Sequence, residues 1–134
     1  MDTPLTPSAR SALVDLNLDA APEQSPRLTT IQMLTSAAFA RRFRPRVVST
    51  TLALAWVAAG RRAAYVTDGD LRDSVHFAAG IALCQAAGCT LTGLRSQPLH
   101  TGVGGLVAAA DRDTHTALID IIEQTHNTRP TPAM

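Results

Sequence analysis

Ala63-Ala64-Tyr65-Val66-Thr67, then Asp68-Gly69-Asp70-Leu71-Arg72-Asp73, then a long apolar run over residues 74–87 closed by Gly88, is the stretch on which the fold turns. A short hydrophobic segment, a polar loop and a long apolar segment ended by glycine read as strand, loop and helix. Glycine ends a helix readily because it accepts the left-handed backbone of the terminating residue. The unit before it has the same form. Val47 and Val48 predict a very short strand, Ser49 or Thr50 caps a helix running through Leu52, Leu54, Ala55 and Trp56 to Ala59, and Gly60 ends it. Earlier still, Leu13, Val14, Leu16 and Leu18 alternate with Asp15 and Asn17, which predicts a strand over residues 12–18. Residues 29–42 predict one helix with Ile31, Leu34, Ala38 and Phe39 on a face, arginines in its last turn and Pro45 as its stop. Downstream, residues 90–92 and 106–109 read as strands joined by a Gly/Ser/Pro-rich connection. A last helix starts at Asp111 or Asp113 and buries Leu118, Ile119, Ile121 and Ile122. Strands alternating with helices of this length predict an α/β fold, a layered α-β-α domain with a mostly parallel central sheet. It is expected to occupy residues 11–126, between a flexible N-terminus (1–10) and a flexible tail (127–134).

Composition sets limits around that reading. The 134 residues, 46 % hydrophobic, suffice for one domain and not comfortably for two. All twelve basic residues are arginine; against eleven acids they leave a net charge of +1, so no global field draws the chain to nucleic acid or an anionic membrane. With only 17 % charged residues, the chain does not have the composition of a disordered polymer. No apolar run approaches the roughly 18 residues of a membrane helix, and the acidic start lacks the basic region of a signal peptide. Cys84 and Cys89 fit neither a disulfide framework nor a zinc knuckle. A cytoplasmic location is the expectation.

Three local patterns invite chemistry. Residues 67–74 superficially resemble the signature of haloacid-dehalogenase-like phosphatases, but Val66 stands where that chemistry needs its aspartate nucleophile. Arg41-Arg42-Phe43-Arg44-Pro45-Arg46 joins four arginines to an aromatic; in a nearly neutral domain it reads as a solvated helix end rather than a nucleic-acid clamp. The histidines match no zinc template. His126 falls in the tail, His115 on the outer face of the last helix and so in solvent, His100 in the glycine-rich connection, and His76 on an apolar helix.

A resemblance covers almost the whole chain. Ser49-Thr50-Thr51-Leu52-Ala53-Leu54-Ala55-Trp56-Val57-Ala58-Ala59-Gly60-Arg61-Arg62-Ala63-Ala64-Tyr65 is similar to the inositol monophosphatase family's "G-S-A-A-L-D-L-A-x-V-A-A-G-R-x-D-A-Y". Phe77-Ala78-Ala79-Gly80, running on to Gly88-Cys89, resembles its "W-D-x-A-A-G" segment. Gly105-Leu106-Val107-Ala108-Ala109-Ala110, with His115, Leu118 and Ile122, resembles its closing segment. The match is to the family's C-terminal half alone.

The resemblance implies a Mg²⁺-dependent phosphomonoesterase fold. It places substrate-contacting groups at Ser49, Thr50 and Asp68 or its neighbour Thr67, and metal-facing groups at His76 and at Asp73 one helical turn earlier. The sequence departs from the family around these points. The "D-P-[IL]-D-G-T" motif and the Glu-rich segment of the N-terminal half do not occur. His76 stands where the family has a metal-binding aspartate, Val75 where it has tryptophan, and Val48 where it has the glycine of the phosphate turn. Magnesium prefers oxygen ligands, and imidazole suits softer metals. Two expectations follow. The chain is a truncated or degenerate domain that binds or interacts without catalysing alone, associating as a homodimer or with a complementary N-terminal half and taking at most a small phosphorylated ligand. Alternatively, it is one part of a working Mg²⁺-dependent phosphatase for inositol or sugar phosphates, the metal-binding half being supplied by another chain.

Overall fold

Two-residue alternation along each strand sorts this chain into layers. The computed structural model describes residues 5–18, 29–50, 52–69, 75–100 and 105–127. Five strands form the sheet: β1 (Leu13–Asn17), β2 (Arg44–Val47), β3 (Ala64–Thr67), β4 (Thr90–Thr92) and β5 (Leu106–Ala109), in the order β2-β1-β3-β5-β4. β1 is parallel to both its neighbours, and β5 is antiparallel to both of its own. Four of the five strands therefore point one way and β5 alone is reversed, a mixed sheet.

One face carries Val14 and Leu16 of β1, Ala64 and Val66 of β3 and Val107 and Ala109 of β5. Helices α1 (Thr29–Leu34), α2 (Ala37–Arg42) and α5 (Arg112–Asn127) cover it through Met33, Phe39, Leu118 and Ile122. The other face carries Tyr65, Leu106 and Ala108 beneath α3 (Leu52–Ala58) and α4 (Val75–Ala87). This is the α-β-α layering that the alternating pattern predicts. α3 and α4 lie close because Gly80 has no side chain: a Cβ there would sit 2.7 Å from Leu54 Cδ1 and 2.9 Å from its Cβ.

Several expectations are corrected. The helix expected over residues 29–42 is two, because Ser36 leaves helical geometry and its hydroxyl accepts from the Phe39 amide, starting α2 afresh. β2 begins at Arg44, before the predicted Val47, and contains Pro45. Proline is tolerated there because β2 is an edge strand, with no partner beyond it to want the missing N–H. Arg44 and Arg46 thus belong to an exposed strand, not to a helix end. Of the offered helix caps, Thr50 accepts from the Leu52 amide and Asp111 from the Thr114 amide. The largest departure is His115, which is buried. Its Nε2 lies 2.6 Å from Thr92 Oγ1, and that hydroxyl donates to the Gly93 carbonyl. With the hydroxyl proton so committed, the imidazole donates from Nε2. Burial lowers its pKa.

Candidate functional site

Chain direction brings three helix starts to one edge of the sheet. β1, β2 and β3 all end at the same edge, and each leads on to a helix that returns across the sheet: α1, α3 and α4. Ligands of open α/β sheets bind at this carboxyl edge, where loops and helix N-termini gather. α4 ends next to the start of β4, which points the same way as β3, so α4 begins at that carboxyl edge too.

A buried polar cluster sits there. Asn17 and Thr67 end β1 and β3 side by side in register. Asn17 Nδ2 donates to the Tyr65 hydroxyl at 3.1 Å, and the Thr30 hydroxyl donates to the Asn17 carbonyl at 3.3 Å. Asp68, 4 % exposed, follows β3; its two carboxylate oxygens lie 3.3 and 3.4 Å from the Thr30 amide, so a residue from one strand end caps a helix from another. Thr67 Oγ1 accepts from the Gly69 amide.

The residues singled out in the sequence divide across this edge. Ser49 is exposed and Thr50 half-buried at the entrance to α3. They follow β2 and Asp68 follows β3, and β1 lies between those two strands. His76 is the second residue of α4, whose first turn is at the same edge. Asp73 lies outside the described residues, as do Asp70, the loop beyond Gly69 and the tail beyond residue 127. Asn17 and Thr30 are the members that sequence reasoning passed over. Their signal was present: polar residues at the last positions of strands, and a Thr-Thr pair opening a helix.

Magnesium asks for several oxygen donors in near-octahedral array. Among the described residues no three of His, Cys, Asp and Glu come together, and the Asp68 oxygens already face the Thr30 amide. The described residues therefore do not make a magnesium site by themselves. What they do make is a buried polar cluster at the strand ends, with the exposed Ser49 at the same edge.

A second surface stands out on α4. Val75, Ala78, Ala79, Ala82, Leu83 and Ala86 form a stripe at helical spacing and face outward, Val75 being 75 % and Leu83 37 % exposed. The opposite side of α4 presents Ile81 and Cys84 to the core, with Phe77 packed against them. A helix apolar all round is ordinarily enclosed on all sides. Here one side is open.

The sequence profile of the inositol monophosphatase family matches residues 4–127. No curated protein sequence matches the chain. Among solved structures, the chain is similar to an inositol monophosphatase from Anabaena (Nostoc) sp. PCC 7120, at 24 % identity and a TM-score of 0.68 over 93 % of this chain and 48 % of that one. It is also similar to the extragenic suppressor protein suhB of Bartonella henselae, at 20 % identity and a TM-score of 0.69 over 90 % of this chain and 46 % of that one. SaIMPase-II, solved with inositol monophosphate bound, matches at 19 % identity and a TM-score of 0.64 over 94 % of this chain and 49 % of that one. At these identities the likeness is one of fold. The chain spans about half the length of each.

Proposed function

The chain belongs to the inositol monophosphatase family, and from that premise we propose that it is a half-domain acting as a binding and assembly module, not hydrolysing phosphate esters alone. One observation carries this reading: the outward apolar stripe of α4, from Val75 to Ala86, lies open on a chain that spans about half of its structural neighbours. Apolar surface of that regularity is stabilising only when something covers it. The small alanines allow a neighbouring backbone or sheet to approach closely. The occupant proposed is a complementary N-terminal half of the same family, in the cytoplasm.

The convergence of strand ends and helix starts favours a second reading, in which the assembled pair is a Mg²⁺-dependent phosphomonoesterase acting on inositol or sugar phosphates. On that reading the other half brings the metal-binding carboxylates. Ser49, Thr50 and Asp68 are this chain's substrate-binding residues, and Asp73 and His76 its contribution to the metal.

The experiment is co-expression of this chain with the N-terminal half of a family member, read by light scattering after gel filtration and by phosphate release from inositol monophosphate with Mg²⁺. A stable one-to-one complex supports the assembly reading, and activity found only in the complex supports the second. A chain that stays monomeric beside every such half overturns assembly. Hydrolysis by the chain alone overturns the non-catalytic assignment.

A further inference from the structure

The two cysteines take no part in either reading, yet the fold brings them together. α4 ends in the turn that a positive-φ glycine permits: Gly88 has φ +92°, its amide donates to the Gln85 carbonyl, and the Cys89 amide donates to the Cys84 carbonyl at 2.9 Å. This paired pattern is the Schellman motif, which is frequently accompanied by contact between the side chains at the positions of Cys84 and Cys89. The 2.9 Å bond confines the two α-carbons to within about 6.8 Å, inside the span a disulfide can bridge. Cys89 packs on the cluster that contains Cys84. Cys84 is fully buried, its Sγ 3.1 Å from the Leu54 carbonyl, whereas Cys89 is partly open to solvent.

We propose that Cys84 and Cys89 form an oxidation site for hydroperoxides, closing reversibly to an intrachain disulfide across the C-terminal turn of α4. The division of labour follows from the environment. The interaction between the two thiols, and then burial, raises the Cys84 thiol, while the same interaction lowers that of Cys89, so the accessible sulfur is also the more acidic of the two. Cys89 Sγ attacks a peroxide oxygen. The O–O bond breaks, Cys89 becomes the sulfenic acid, and the departing oxygen leaves as water after taking a proton. Cys84 Sγ then attacks the sulfenic sulfur; the S–S bond forms, the S–O bond breaks, and the hydroxide leaves as a second water with the proton Cys84 gives up. Two thiols lose two electrons and one hydrogen peroxide becomes two waters. A dithiol reductant reverses the change.

Trypsin tests this directly, because cleavage after Arg72 and Arg95 leaves both cysteines on one peptide. The reduced full chain is treated with one equivalent of hydrogen peroxide. The result expected is a monomer without free thiols, whose 73–95 peptide is two hydrogens lighter and is restored by dithiothreitol. Closure should run about tenfold faster in the folded chain than in urea, since the turn holds the sulfurs together. In Cys84→Ser the reaction should stop at a sulfenic acid that dimedone captures, and in Cys89→Ser the buried Cys84 should stay reduced. Disulfide-linked dimers, irreversible oxidation of Cys89 beside a free Cys84, surviving thiols, or equal rates folded and unfolded would each overturn the proposal.

Discussion

Asp15, fully buried on β1, receives a 3.0 Å hydrogen bond from Arg62 Nε at the turn leading into β3. The same guanidinium lies 5.0 Å from the centre of the Trp56 ring, so Arg62 is held from both sides. Among the described residues the second carboxylate oxygen of Asp15 has no hydrogen-bond partner. Burial accordingly raises the Asp15 pKa, with the Arg62 bond and charge and the charge of Arg46 acting against it. A group whose folded pKa is raised favours folding at low pH, and that contribution is lost as pH climbs from 3.8 through the raised value.

Arg62→Met should strand that carboxylate and destabilise the fold at neutral pH by about 3 kcal/mol. The deficit should shrink as the solution is acidified, because a stranded carboxylate takes up a proton. Urea unfolding of both proteins at pH 7 and pH 5 measures it; a loss independent of pH would mean that the damage is to packing on Trp56 instead.

His115 moves stability in the opposite direction. Its folded pKa is lowered from 6.5, so the neutral form is the one the fold accepts. Its contribution is complete above pH 6.5 and falls as acid charges the unfolded chain's imidazole but not the buried one. Denaturation across pH 5 to 8 should show that decline, and His115→Gln should flatten it.

Gly80→Ala tests the α3–α4 contact. Alanine gains about 1 kcal/mol of helix propensity over glycine, yet its Cβ would meet Leu54 at 2.7 Å and 2.9 Å. Overpacking of that kind costs about 1–3 kcal/mol. The contact falls on the Leu54 Cβ as well as on a mobile methyl, so net destabilisation is expected. A raised melting temperature would show that the helices separate freely.

Asp68→Ala removes the acceptor for the Thr30 amide and should cost about 1 kcal/mol, the usual worth of a lost cap. Asp68→Asn, which keeps an acceptor oxygen, should recover most of it. Equal losses in both would assign Asp68's importance to its charge.

Leu83→Glu alters the outward stripe of α4 without touching the core. Stability should stay within about 0.5 kcal/mol, while association with a complementary half is lost. Binding that survives the charge would place the interface elsewhere.

Most elements are legible in the sequence where a local signal stands alone. β3, β5 and α5 announce themselves through an unbroken apolar strand or a clear amphipathic stripe, and Gly88 marks the end of α4. The two-helix break at Ser36 is less legible because a capping serine and a helix-interior serine look alike until the hydroxyl finds the Phe39 amide. Pro45 reads as a stop because its tolerance in β2 depends on β2 being at the edge. Candidate site residues Ser49, Thr50 and Asp68 come from motif likeness, whereas Asn17 and Thr30 join them only when β1 and β3 are paired.

The sequence by itself determined the α/β alternation, the family and the half-length, because these rest on period, spacing and count. Tertiary structure decided which residues face each other. It put His115 under β4 and not in water, turned Asp68 toward the start of α1, closed Cys84 on Cys89, and left one side of α4 uncovered. Period tells a helix which side is apolar. When α4 is apolar on both sides, only the position of the sheet selects the side that is buried.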